Sequence, residues 1–124
     1  MDVYPTLCEL CGLDIPDTVE ASSLAHMLRD VDARGKDAAF SQYFREGLMG
    51  YSMRTERFRY TEWVSFEPSV STPTPDWEHP RARELYDHAV EPHETRNRAC
   101  EAQYSDTIIQ LHERLTQGWR AVCA

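Results

Sequence analysis

Apolar positions recur along this 124-residue chain with two different periods, and the change of period divides it. Val3, Leu7, Leu10 and Cys11 fall at helical spacing, with Pro5 in a first turn whose N–H groups lack partners anyway and Gly12 placed to end the helix. Asp14-Ile15-Pro16-Asp17-Thr18 then breaks the chain. Ser22 or Ser23 can cap a second helix with the stripe Leu24, Met27, Leu28 and Val31, closed by Arg34-Gly35-Lys36. His26 lies off that stripe and is expected at the surface.

From Ala38 the period becomes two. Ala38 to Tyr43, Leu48 to Arg54 and Phe58 to Val64 read as successive antiparallel strands, and Glu84-Leu85-Tyr86 as a fourth. Thr55-Glu56-Arg57 has the length of a hairpin connection, which pairs the second strand with the third. Alternation in the third strand sends Arg59, Thr61 and Trp63 to one face and Phe58, Tyr60 and Glu62 to the other. Residues 67–80 carry four Pro and neither period, so they read as an exposed, mobile insertion in which Trp77 and His79 could form a contact site, although an aromatic folded back to cover the loop's underside is the commoner case. After Asn97 the helical period returns at Tyr104, Ile108, Leu111, Leu115, Trp119 and Val122, interrupted by Gly118. The expected fold is α+β: a small antiparallel sheet of about four strands packed by a C-terminal amphipathic helix, after two short N-terminal helices. The boundary between segments falls at 1–37 and 38–124.

Composition narrows the function. Asp and Glu total 21 against 13 Lys and Arg, a net charge of −8 that argues against phosphate-rich partners, so neither nucleic acid nor an anionic membrane is an expected partner. No stretch approaches the ~20 apolar residues of a membrane span, and the start has neither a basic region nor an apolar run of the kind a signal peptide needs. Twelve of the 13 basic residues are Arg, eight of them between Arg45 and Arg98. A guanidinium grips carboxylate, sulfate or phosphate through paired hydrogen bonds, but ten acidic residues share that segment and ordinary cross-strand ion pairs account for most of these Arg.

Cys8 and Cys11 form a C-x-x-C, yet Cys100 and Cys123 are 23 positions apart and supply no second short unit, so small buried thiols are expected rather than a zinc site. His88 and His93 stand near Asp87, Glu91 and Glu94, spacing that could serve a base or a metal and that reads more simply as a polar turn. No residue is assigned as catalytic or as a metal ligand.

Several segments taken in order resemble the C-terminal subdomain of sulfatases in the alkaline-phosphatase-like superfamily, most of all the iduronate-2-sulfatase group. They are Asp2-Val3-Tyr4-Pro5-Thr6-Leu7 with Cys11-Gly12-Leu13; Phe40-Ser41-Gln42-Tyr43; Met49-Gly50-Tyr51-Ser52-Met53-Arg54-Thr55 with Arg57-Phe58-Arg59-Tyr60-Thr61-Glu62-Trp63; and Glu84-Leu85-Tyr86-Asp87 with Glu91-Pro92, Glu94 and Asn97. The resemblance implies that residues 1–37 close the sulfatase core and that 38–124 form the C-terminal subdomain. It also implies hydrolysis of sugar sulfate esters, with a 2-sulfated uronate as substrate. Such enzymes use a formylglycine made from the Cys of C-x-P-x-R and a calcium ion, and none of the four Cys here begins that motif. Both groups are therefore expected in an N-terminal domain that this chain lacks. That domain is the expected partner, a sulfated saccharide the ligand of the whole enzyme, and the chain alone is expected to be inactive. The alternative is a stand-alone, non-catalytic binding or interaction module, and uncovered helix stripes would favour self-association. Arg59, with Arg54 on the neighbouring strand, is the candidate for binding a sugar carboxylate or sulfate. Its structural alternative is a pair with Glu84 or Asp87.

Overall fold

A computed structural model describes residues 1–67 and 74–118. It divides between Lys36 and Asp37 into two compact units.

The first unit holds α1 (Val3–Leu10) and α2 (Ala25–Arg29). Gly12, at φ +68°, ends α1 as its sequence position predicts. The Gly12 and Leu13 N–H groups donate back to the carbonyls of Glu9 and Cys8 at 3.2 and 2.9 Å, so the last turn leaves few carbonyls unpaired. The Thr6 hydroxyl donates to the Asp2 carbonyl at 2.6 Å and accepts the Leu24 N–H at 2.8 Å, joining the two helical segments. Lys36 donates to the Asp2 carboxylate at 2.6 Å and holds that carboxyl below its ordinary pKa. Leu24, which bears no side-chain cap bond, stands at the N-cap of α2, so neither Ser22 nor Ser23 caps this helix as expected; Ser23 Oγ instead accepts the Ala25 N–H at 3.1 Å in a local turn just before it.

Two further expectations need correction here. The second helix stops at Arg29, short of Val31, because the Asp30 carboxylate accepts the Asp32 N–H at 3.0 Å and offers the backbone a turn instead of another helical bond. Cys8 is buried but Cys11 is exposed, since the residue after the last helical turn leaves the buried side. Val3, Tyr4, Leu7, Leu10, Leu13 and Leu28 are also exposed, leaving Pro5, Cys8 and Ala25 as the buried side chains of the two helices.

The second unit is a four-stranded antiparallel meander in the order β1 (Ala38–Arg45), β2 (Leu48–Thr55), β3 (Phe58–Ser65), β4 (Ala82–Asp87). Glu46 and Gly47, with φ of 49° and 80°, turn β1 into β2 in the left-handed geometry that matches strand twist. The β2–β3 turn lacks Gly. There Thr55 Oγ1 accepts the Phe58 N–H at 3.0 Å and donates to the Phe58 carbonyl at 3.1 Å, holding the turn together.

One face of the sheet is the core. Phe40, Met53, Tyr60 and Leu85 stand in register across all four strands. A 3-10 turn (Ala102–Tyr104) leads into α3 (Ser105–Gln117), which brings Tyr104, Leu111 and Leu115 onto that row, with Ile108 partly buried beside them. The helical period seen in the sequence therefore packs where expected. Trp119 and Val122, like residues 68–73 of the insertion, lie outside the described residues. Trp77 folds back against Tyr51, ring centroids 4.8 Å apart. Asn97 secures the edge strand by accepting the Leu85 N–H and donating to the Arg83 carbonyl, both at 3.0 Å.

Glu62 is fully buried on the same face. Its Oε1 receives the Tyr60 hydroxyl, Arg83 Nε at 3.2 Å and His112 Nδ1 at 2.8 Å, while Oε2 has no partner. Burial first, and this carboxylate second, push the Tyr60 hydroxyl well above its ordinary pKa. The contact ties β3, β4 and α3 to one buried carboxyl group. No helix among the described residues is long and apolar enough to cross a membrane.

Candidate functional site

The second face of the sheet is not covered by α3, and strand register organises it into three rows. Ala39, Arg54, Arg59 and Tyr86 form the first, Ser41, Ser52, Thr61 and Glu84 the second, and Tyr43, Gly50, Trp63 and Ala82 the third. Part of this surface sinks into a depression of about 260 Å³ lined by Ser41, Tyr43, Gly50, Ser52, Arg59, Thr61, Trp63 and Glu84.

Trp63 shapes the depression. A Cβ built on Gly50 would meet three carbons of the indole at 2.9–3.1 Å, so the ring lies directly over the Gly50 backbone, where only a missing side chain leaves room. The indole N–H donates to Glu84 Oε1 at 2.7 Å, and the Tyr86 hydroxyl donates to Glu84 Oε2 at 2.8 Å. Burial and that bond push Tyr86 up to about 12. Tyr43 stands perpendicular to the indole, at 88° and 6.4 Å between centroids. Between the aromatic and arginine rows, the Thr61 hydroxyl donates to Ser52 Oγ at 2.8 Å.

The two arginines singled out from the sequence are direct cross-strand partners, but they behave differently. Arg54 folds onto the hairpin, donating to the carbonyls of Thr55 and Glu56. Arg59 lines the depression, and its Nε donates to Glu94 Oε1 at 2.7 Å. Its terminal amino groups make no hydrogen bond to the described residues. The carboxylate partner is thus Glu94, and neither Glu84 nor Asp87. Asp87 is opposite Phe58 on the core face, and Glu84 is already held by Trp63 and Tyr86. Glu94 reaches Arg59 from a backbone position at φ 55°. It also faces His88 Nε2 at 2.6 Å, while His88 Nδ1 is 3.1 Å from the Arg57 carbonyl. Burial raises the Glu94 pKa, but the bonds from Arg59 and His88 outweigh it and keep the carboxyl below its ordinary value.

The remaining polar residues of this region are structural. Arg57 grips Asp87 with two bonds at 2.9 and 2.7 Å, and Asp87 also accepts the Tyr104 hydroxyl at 3.0 Å and the Ala89 N–H at 3.1 Å. The Arg57 bonds, over the opposing effect of burial, lower Asp87 to about 2. Glu91 accepts the N–H groups of His93 and Thr95, each at 2.7 Å, which makes it the brace of the turn expected there. Among the described residues no group of three or more His, Cys, Asp or Glu side chains is placed to hold a metal ion. No Cys in the sequence begins a C-x-P-x-R motif.

Sequence reasoning placed Arg59 on the face where the register puts it but missed the Trp63–Gly50 contact and the hydroxyl row. The signal was present: Ser41, Ser52 and Thr61 occupy the outward phase of three strands, and Gly50 interrupts the apolar run between Met49 and Tyr51.

A meander with one helix-covered face, one open polar-aromatic face and no nucleophile–metal constellation among the described residues is a small α+β subdomain. Residues 1–121 match the family described as N-sulphoglucosamine sulphohydrolase, C-terminal, and the chain belongs to that family of sulfatase C-terminal subdomains. No curated protein matches the sequence. Among solved structures, the fold is similar to that of BT4656 in complex with its substrate D-glucosamine-2-N,6-O-disulfate, with TM-score 0.64 and 22% identity over 94% of this chain and 23% of that one. It is also similar to BT33336S-sulf, described with the metabolism of multiple glycosaminoglycans by Bacteroides thetaiotaomicron, with TM-score 0.63 and 20% identity over 94% of this chain and 24% of that one. The chain therefore spans about a quarter of the length of the solved proteins it resembles.

Proposed function

We propose that this chain is the C-terminal part of a sulfatase that hydrolyses sulfate esters of sugars, contributing a wall of the substrate site while an N-terminal domain supplies formylglycine and calcium. The observation that carries the reading is the family match over residues 1–121 in a chain with no constellation for sulfate-ester cleavage among its described residues. The exposed apolar residues of α1 support a missing partner, because Val3, Leu7 and Leu10 would be covered by the rest of such an enzyme. A sulfated glucosamine is the substrate class favoured by the family description and by the ligand of BT4656. A 2-sulfated uronate is the second reading, supported by the segments that resemble the iduronate-2-sulfatase group.

Arg59 is the residue proposed to meet an anionic group of the substrate, with Arg54 opposite it adding positive charge. The test joins this chain to the N-terminal domain encoded by an upstream reading frame with C-x-P-x-R, and assays sulfated glucosamine and 2-sulfated uronate disaccharides. Calcium-dependent sulfate release by the joined polypeptide and none by the 124-residue chain is expected. Arg59→Lys in the joined enzyme should raise KM with little change in melting temperature. Release of sulfate by the short chain, or an upstream region that lacks the motif, would overturn the reading.

A further inference from the structure

The open face of the sheet offers a flat aromatic ring, a perpendicular aromatic wall, a row of hydroxyls and one arginine whose terminal amino groups make no hydrogen bond to the described residues. Each suits a different part of a sugar. The polarised C–H groups of a pyranose pack on the negative face of an indole, ring hydroxyls exchange hydrogen bonds with Ser and Thr, and a guanidinium takes a carboxylate or sulfate. The placement is built. Gly50 lets the indole lie flat, Glu84 holds its N–H, and Tyr43 closes one side. Glu84 accepts a donor at each oxygen, and Glu94 is bonded by Arg59 and His88, so the acidic groups near the depression are turned inward to their partners.

Trp63 and Arg59 are four residues apart on one strand, which puts their backbones about 13 Å from each other. That span exceeds one pyranose ring and suits a disaccharide, one ring on Trp63 and an acidic substituent of the next within reach of Arg59. A depression of about 260 Å³ lies below the size of a pocket that encloses a whole drug-sized ligand, so it would hold one ring of a longer glycan.

We infer that this face is a platform for an anionic oligosaccharide, with Trp63 as its floor, Tyr43 as its wall, Ser52 and Thr61 as hydroxyl partners and Arg59 as the anion contact. The choice of a sulfated glycan over other acidic sugars rests on the proposed sulfatase reading. The stacking surface itself rests on the geometry.

The experiment follows the Trp63 indole N–H and the Thr61 amide by NMR in the 124-residue chain. The chain is titrated with a sulfated hexosamine–uronate disaccharide, with a neutral disaccharide of the same linkage, and with inorganic sulfate. The sulfated disaccharide should shift both resonances and bind at least fivefold more tightly than the neutral one. Arg59→Gln should abolish that preference while leaving the neutral sugar unchanged. Gly50→Ala, which pushes the indole off its seat, should weaken both sugars about tenfold with the α3 resonances in place. If that variant does not fold, Tyr43→Ala removes an exposed wall and should weaken binding at least fivefold. The inference falls if neither sugar moves Trp63, if inorganic sulfate alone reproduces the shifts, or if folded Gly50→Ala or Tyr43→Ala binds like the parent. It also falls if joining the N-terminal domain protects this face from hydrogen exchange and no sugar binds, because the face would then be a domain interface. Sugar binding without sulfate release by the joined enzyme would instead sink the sulfatase reading and leave the platform standing.

Discussion

Replacing Asp87 with Asn tests whether one carboxylate ties the edge strand to the last helix. Asp87 is fully buried at its side chain and receives Arg57 through two bonds, the Tyr104 hydroxyl and the Ala89 N–H. Its pKa falls from 3.8 to about 2, with the Arg57 bonds as the largest cause. A depressed carboxyl contributes stability that is fully present above its unfolded value and is lost as pH falls through the folded one. The window here runs from about pH 5 down to about pH 1. A shift near two units corresponds to roughly 2.5 kcal/mol, and because the Arg57 side chain is 55% exposed, solvent screening brings the expectation to about 2 kcal/mol. Asn keeps one acceptor and the shape but loses the charge that Arg57 needs. Urea unfolding of parent and Asp87→Asn, each measured at pH 7, 4, 3 and 2, should show a difference of about 2 kcal/mol at pH 7 that shrinks steadily as the parent's carboxyl is protonated. A difference that stays constant from pH 7 to pH 2 would refute the linkage, and no difference at pH 7 would refute the structural role.

Three further outcomes follow from other parts of the fold. Glu46→Asn should stabilise the chain by about 0.5–1 kcal/mol in thermal unfolding, because Asn tolerates the left-handed backbone that Glu46 adopts at φ 49° in the β1–β2 turn. Leu85→Ala should cost about 2–5 kcal/mol in urea unfolding, since Leu85 is fully buried at the β4 end of the row that α3 covers. Tyr104→Phe should cost about 1 kcal/mol at pH 7, the scale of one hydrogen bond, and the loss should vanish in an Asp87→Ala background, which removes the acceptor of that hydroxyl.

The strands were legible because alternation is a local property: in Phe58 to Ser65 each residue's side is decided by its neighbours, and the split of Arg59, Thr61 and Trp63 from Tyr60 and Glu62 appears in the structure unchanged. The last helix was legible for a similar reason, since Tyr104, Leu111 and Leu115 must share a face whatever they pack on. The end of α1 at Gly12 needed only one residue able to take a positive φ. The extent of α2 was less accessible, because the turn formed by Asp30 competes with helix propagation through a side-chain bond that an apolar stripe does not report.

Partnerships across strands were decided by tertiary structure alone. Arg59 could meet several carboxylates, and only register and the turn after β4 excluded Asp87, occupied Glu84 and brought in Glu94. The open face arose in the same way. Gly50 and Trp63 are 13 positions apart in sequence, and the indole finds its seat only when β2 and β3 align them side by side. Sequence alone determined which residues share a side of each element, because that depends on backbone period. Register decided which of them touch, because a ladder places together groups whose separation along the chain carries no record of the contact.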